Sequence, residues 1–392
     1  MLYPLAVIFC GVAVCYRMVI FLDVQPSDEI MQIESDFDSG NILVKHESET
    51  EVVLTIRADS NAAYYQWFYF RATSTTPCTL RIANAAGASY PHAWSGYQVL
   101  ASHDEETWFR VPTQYDGANL VFEHSAEHPT VSYAFFVPYT ARQREAFLDE
   151  CAAAPGVERR VVGRSIQDRP LDLLVIGEGT KKVWFIARQH AGESMAEWAT
   201  EGFVRRLLDL SDTAAQSLRK KAQIYVIPNM NPDGSYLGNL RANAAGVDLN
   251  RSWDKPSERC PEIVAVLDAI ENTGVDMLID MHGDEERPFI WIFQPNVELS
   301  PEVAAHQQQF EAELARRNPQ LHPAPKSVAS VQSGDLGLST NYIVATYNCP
   351  SWTIELPFKA VPGPNGEHDS LLAAGCLNFG RICVEALDVI IE

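Results

Sequence analysis

Two histidines and two glutamates in this chain stand where metal-assisted hydrolysis would need them. They occur in His190-Ala-Gly-Glu193, in His282-Gly283 and at Glu355, with Asp248-Leu-Asn250-Arg251 between. A catalytic zinc is held by three protein ligands with a fourth position left to water, and His/His/Glu is one of its recurring ligand sets. The three-residue spacing of His190 and Glu193 lets a single turn aim both side chains at one point. Alone, His-x-x-Glu arises often by chance. His282 ends the apolar run Asp276-Met-Leu-Ile-Asp280-Met, where a lone histidine is ordinarily a satisfied structural group; beside the first motif it becomes the third ligand. Glu355 is then a spare carboxylate, and the set is the parts list of a zinc hydrolase.

Residues this far apart meet only if several strands end at one edge. Beyond residue 155 buried runs alternate with helical ones: strands at Val183 to Ala187, Ile224 to Pro228, Met277 to Met281, Phe289 to Phe293 and Trp352 to Leu356, and helices at Met195 to Leu208, Pro261 to Asn272, Pro301 to Arg317 and Ser370 to Ile391. This is α/β organisation. In the first helix Met195, Trp198, Ala199, Phe203, Leu207 and Leu208 recur on one face. The metal candidates fall at the C-terminal ends of strands, where such sheets place their sites.

Upstream, from Met31 to about Pro138, the runs are short and alternating: Ile42 to His46, Glu51 to Arg57, Gln66 to Arg71, Thr79 to Ile82, Thr107 to Val111 and Val131 to Val137. They predict a small antiparallel β-sandwich. Trp67, Tyr69, Trp94, Tyr97 and Trp108 could form a carbohydrate platform, but aromatics alternating along strands are read as core. No catalytic constellation is visible there. A helix over Arg142 to Glu150 would link the two parts.

The chain has 392 residues, 46% of them hydrophobic, which predicts two domains and a sizeable core. The division expected is an apolar segment over 1–30, a sandwich over 31–140 and a catalytic domain over 150–392. A formal charge of −21 with no basic run argues against a nucleic-acid partner. Eight cysteines without a Cys-x-x-Cys read as reduced thiols. Residues 2–22 are almost wholly apolar and approach the length of a membrane span. An upstream false start ahead of Met31, a membrane anchor and a secretory signal are the three readings. The signal lacks a basic n-region and an Ala-x-Ala site.

Taken in order, six motifs resemble the zinc metallocarboxypeptidases of the carboxypeptidase A type: His190-Ala-Gly-Glu193, Asn231-Pro-Asp-Gly234, Gly238-Asn-Leu-Arg241, Gly246-Val-Asp-Leu-Asn-Arg251, Asp280-Met-His-Gly283 and Thr353-Ile-Glu-Leu356. The upstream runs, with Gln66-Trp-Phe-Tyr-Phe70, look like the amino-terminal domain of the cytosolic carboxypeptidase branch. The resemblance implies a central mixed sheet flanked by helices, preceded by the sandwich. The His/His/Glu set is that family's own zinc site, so it is not a separate line of evidence.

The resemblance also implies roles. His190, Glu193 and His282 would hold one zinc ion per chain, and Glu355 would be the general base. Asp248 would accept the spare ring proton of a ligand histidine, His190 first, and fix its tautomer. Arg241 would stabilise the oxyanion, and Asn250 with Arg251 would grip the free carboxylate of a peptide or protein C-terminus. Asn231-Pro-Asp-Gly234 reads as a turn with a structural task.

Some features depart from the pattern. The stretch Ser327 to Asp335, where the family carries a substrate-capping tyrosine, has none; Tyr342 and Tyr347 are the nearest. The region that sets side-chain preference, Ser339 to Asn341, is uncharged. Arg188, Arg287 and Lys359 are candidate cations for an acidic substrate side chain, and a preference for C-terminal glutamate follows from the subfamily resemblance alone. A cytoplasmic enzyme is expected, with membrane contact only if 2–22 is an anchor. Two rivals are an aspartoacylase-type N-acyl amino-acid deacylase, which shares His-x-x-Glu and Asp-Leu-Asn-Arg, and an inactive peptide-binding module. The sandwich and Asn-Pro-Asp-Gly favour the peptidase over the first, and the complete set of ligands and base favours it over the second.

Overall fold

Three sheets organise the chain in this computed structural model, which describes residues 31–125, 127–324, 332, 334–361 and 372–392. The apolar run 2–22 lies outside them. Among the described residues no helix is long and apolar enough to cross a membrane.

Two five-stranded sheets form the upstream sandwich. One runs Gln32–Glu34, Tyr69–Thr73, Thr130–Ala134, Leu100–Ser102, Trp108–Arg110; the other runs Leu43–Glu47, Glu51–Thr55, Cys78–Ile82, Leu120–His124, Thr113–Tyr115. Alternation puts Val52, Leu54, Leu80 and Ile82 on one fully buried face. Tyr133 of the first sheet closes the gap against Phe122 of the second, ring centroids 5.1 Å apart. Pairing is antiparallel except between Glu51–Thr55 and Cys78–Ile82, which are parallel because the chain crosses to the opposite sheet between them. The five aromatics read as core are buried.

A helix over Ala141–Ala152, opened by a Thr140/Gln143 capping box, leads to a seven-stranded mixed sheet. Its order is Val157–Arg164, Pro170–Ile176, Ala222–Ile227, Lys181–Ala187, Met277–Asp284, Ser351–Pro357, Trp291–Phe293. The four strands from Ala222–Ile227 to Ser351–Pro357 are mutually parallel, and the outer ones antiparallel. Both faces are covered, so these strands are buried along nearly their whole length. Val183, Phe185 and Ala187 enter one core and Trp184 and Ile186 the other. Helices Ser194–Leu207 and Ala373–Ile390 pack on the first core with backbones in contact. A Cβ at Gly202 would lie 1.9 Å from Leu377 O, and one at Gly380 1.8 Å from Ala199 O. That core continues into the sandwich, where Phe135 stacks on Phe358 at 4.5 Å.

The hairpin Val157–Arg164/Pro170–Ile176 and helices Thr213–Lys221 and Ser339–Tyr347 were not anticipated from sequence patterning. The expected start of the last helix at Ser370 lies outside the described residues, which place that helix over Ala373–Ile390. The six described cysteines are buried.

Candidate active site

Three parallel strands deliver the predicted residues to one end of the sheet. His190 lies three residues beyond Lys181–Ala187, His282 near the end of Met277–Asp284, and Glu355 opposite His282 on Ser351–Pro357. The loop carrying His190 is held by buried polar groups. Arg188, in the left-handed region at φ 58°, donates to Glu197 at 2.6 Å, Tyr139 O at 2.7 Å and Ala191 O at 2.9 Å. Asn231 caps helix Pro232–Leu237 and donates to Gln189 O at 3.0 Å. That motif has the structural task expected of it.

Glu193 takes the N-cap position of helix Ser194–Leu207 yet makes no side-chain cap. Its carboxylate turns into the cavity instead: Oε1 lies 2.7 Å from His190 Nδ1 and Oε2 2.9 Å from His282 Nδ1. The two Nδ1 atoms are 3.2 Å apart, and candidate ligand atoms from all three residues fall within 4.8 Å of one another. Oε2 is buried and makes no hydrogen bond. The far ring nitrogens face carboxylates: His190 Nε2 to Asp248 at 3.3 Å and His282 Nε2 to Asp280 at 2.9 Å. Outer carboxylates fix imidazole tautomers in this way in metal sites, which frees both Nδ1 lone pairs for an ion. Two imidazoles, a carboxylate and an orphaned buried oxygen fit zinc.

Charge is crowded here. Burial opposes ionisation of Glu193, but His190 and His282 overcome it and hold its carboxyl at about 2. Burial likewise opposes a charged His282, and Asp280 and Glu193 raise it well above its usual value. Glu355 is pushed up to about 8 by burial, with Glu193, Asp284 and Asp280 adding to the rise and His282 opposing it.

Glu355, Arg241, Asn250 and Arg251 line one cavity of about 360 Å³ with His190 and Glu193. Arg241 donates through Nε to Asp248 at 2.6 Å. Asn250 accepts from Ser339 N at 2.9 Å through Oδ1, and its Nδ2 lies 3.3 Å from His282 Nε2. Arg251 donates to Asn250 O at 2.7 Å. Of the three candidate cations only Arg287 reaches the cavity, where it pairs with Asp284 at 2.8 Å and lies over Trp291. Arg188 is committed to the buried network, and Lys359 donates to Ser95 O at 2.8 Å. Tyr342 packs by Trp253, and Tyr347 lines a different hollow. Most of Ser327 to Asp335 lies outside the described residues.

Sequence reading found no catalytic constellation in the sandwich, and the structure brings two sandwich residues to the candidate site. Tyr90 lines the cavity and accepts from Arg241 Nη1 at 2.7 Å. The buried carboxylate of Asp59 accepts from the backbone N–H groups of Leu240, Arg241 and Ala242 at 2.6, 2.8 and 2.8 Å. No local pattern marks either residue. Asp280 had a detectable signal, since it stands two residues before His282 on one strand and so on the same face.

A model of the zinc carboxypeptidase family matches residues 144–363, and one of the cytosolic carboxypeptidase N-terminal domain matches 33–136. The chain belongs to the zinc carboxypeptidase family. A metallo-carboxypeptidase from Burkholderia cenocepacia is 36% identical, with a TM-score of 0.88 over 92% of this chain and 99% of that one. Another, from Pseudomonas aeruginosa and in complex with (2-guanidinoethylmercapto)succinic acid, is 39% identical with a TM-score of 0.86, again over 92% and 99%. Cytosolic carboxypeptidase 6 of Caenorhabditis elegans is 30% identical over 71% of this chain and 67% of the relative. This zinc carboxypeptidase is therefore a metallopeptidase of the class that acts on peptide or protein C-termini.

Proposed function

We propose that this carboxypeptidase holds one zinc ion per chain on His190, Glu193 and His282 and releases single C-terminal residues, glutamate preferentially, from cytoplasmic peptides or proteins. The carrying observation is the buried Glu193 Oε2, without a hydrogen bond yet faced by two imidazoles whose far nitrogens already meet carboxylates. When bound, zinc supplies an acidified water and polarises a carbonyl. The Glu355 side chain, beside His282 and with no hydrogen bond among the described residues, would take the water's proton in its ionised form, which the charge of a bound cation favours against the burial that raises it, and pass that proton to the leaving amine. Arg241, clamped by Asp248, holds its guanidinium toward the oxygen that gains charge. Arg251 and Asn250 take the terminal carboxylate.

Arg287 supports the glutamate preference, as the cation that lines the cavity beyond the roles already assigned. Arg287→Ala should raise KM for glutamate-ended peptides more than for leucine-ended ones.

The deciding experiment compares a free-acid peptide with its C-terminal amide. Charge-assisted hydrogen bonds are worth roughly 1.5–3 kcal/mol each, so loss of the carboxylate contact should lower kcat/KM by about a hundredfold or more. Equal cleavage of acid and amide would sink the exopeptidase reading. Faster turnover of N-acetyl amino acids than of peptides would point to a deacylase.

A further inference from the structure

The sandwich enters the catalytic cavity through one loop, and that loop is held rigidly. Fully buried Gln66 clamps residue 90 by both backbone groups: Tyr90 N donates to Oε1 at 2.8 Å, and Gln66 Nε2 donates to Tyr90 O at 3.2 Å. Pro91 then opens a short 3-10 turn that buries Trp94. Tyr90 is thus mounted from the sandwich core. Burial, with the nearby Glu285 adding to it, holds its phenol further above the usual range, so the hydroxyl stays protonated.

The hydrogen-bond count at that hydroxyl is informative. Its oxygen accepts from Arg241 Nη1 at 2.7 Å, so its own proton points elsewhere, and no acceptor for it occurs among the described residues. The ring lines the same cavity as His190, Glu193 and Glu355. The proton is therefore available to whatever fills the cavity. Arg241 is fixed equally firmly. Its backbone is gripped by Asp59 and its Nε by Asp248, while Nη2 has no hydrogen-bond partner among the described residues. Two donors, one from each domain, consequently stand side by side at the cavity wall, a neutral O–H and a guanidinium N–H.

We propose that Tyr90 is a catalytic residue supplied by the sandwich, whose hydroxyl, fixed by Arg241, donates to the same developing oxyanion of the scissile carbonyl. This rests on the oxyanion role given to Arg241. Loss of one such donor typically costs about 10²–10³ in rate. The donor is aimed at charge that appears only in the transition state, so the loss falls on kcat and leaves KM little changed.

The test uses the zinc-loaded full chain and the variants Y90F, R241Q and Y90F/R241Q, with zinc content and thermal midpoint measured alongside. Y90F keeps the ring and its packing. It is expected to fold and bind zinc as wild type does, with kcat down toward the range above. Its affinity for a phosphonate peptide, a mimic of the tetrahedral state, should fall in parallel, while affinity for a free product amino acid holds. In the R241Q background Y90F should lower kcat further. No further fall would mean that Tyr90 acts only by holding Arg241, and would overturn the proposal. Unchanged kcat and phosphonate affinity in Y90F would overturn it as well. R241Q with wild-type turnover would instead remove the role given to Arg241, and Y90F alone would still decide Tyr90.

Discussion

His282 and Glu355 face one another across the parallel pairing of their strands, as direct register partners. The ligand candidate and the base candidate therefore share one backbone frame and cannot drift apart without breaking a central strand pair. Glu355→Gln preserves shape and removes the proton acceptor. Peptidase activity should fall by about 10²–10⁴-fold, the usual contribution of a general base, with zinc still bound stoichiometrically. Metal analysis decides the alternative: loss of zinc from this variant would make Glu355 a ligand.

Asp248 joins two tasks, with one oxygen 3.3 Å from His190 Nε2 and the other 2.6 Å from Arg241 Nε. Asp248→Asn should weaken zinc binding about 10–100-fold, as loss of an outer partner does, and should lower kcat in addition because Arg241 loses its clamp. Chelator competition reads the first effect and steady-state kinetics at saturating zinc the second. Unchanged zinc affinity would mean that Asp248 does not orient His190.

Gly283 leaves no room for a side chain. A Cβ there would lie 2.5 Å from Met195 Sδ and 3.2 Å from Glu193 Cγ. Gly283→Ala should displace the Glu193 carboxylate and lower zinc affinity more than it lowers the thermal midpoint of the metal-free protein. A variant with wild-type zinc affinity would show that Met195 and Phe358 absorb the methyl group without moving Glu193.

Glu262 tests the buried charge away from the site. Burial pushes its carboxyl from 4.5 to about 7, and Asp233 adds to the rise, while its own backbone N–H and Asn243 oppose it. The native state thus holds this proton more tightly than the unfolded chain. Its contribution is fully present below about pH 4.5 and is lost as pH rises toward 7. Glu262→Gln should gain on wild type by at most about 3 kcal/mol between pH 5 and pH 8, since one pKa unit is about 1.4 kcal/mol. Denaturant midpoints at the two pH values measure this. A constant difference between the proteins would mean that Glu262 titrates normally.

The catalytic strands were legible because each is a continuous apolar run ending in a polar motif. That pattern, joined to the order of the six family motifs, is what picked out His190, His282 and Glu355 in the sequence. Val157–Arg164 escaped because it is an edge strand of mixed charge, Val-Glu-Arg-Arg-Val-Val-Gly-Arg, whose alternation is broken by a bulge between Val161 and Gly163. Helix Ser339–Tyr347 escaped because its Ser, Thr and Asn opening reads as loop, whereas those residues are buried and bond inward, Ser339 Oγ to Asp280 among them. Asp59 and Tyr90 act on residue 241 from 182 and 151 positions away, and periodicity carries no information over such distances. Arg287 and Arg188 looked equivalent as sequence, and only burial separated the cavity cation from the structural one.

The clamp of Asp59 on Leu240 spans 181 residues, and that distance is also a delay. At 5–20 residues per second, roughly ten to forty seconds of synthesis separate the acceptor from its donors. Through that interval Asp59 remains hydrated, and its burial waits for the second domain. Glu355 emerges later still. A ribosome-bound chain therefore cannot assemble the candidate site until residue 355 has been made and its strand has docked beside His282.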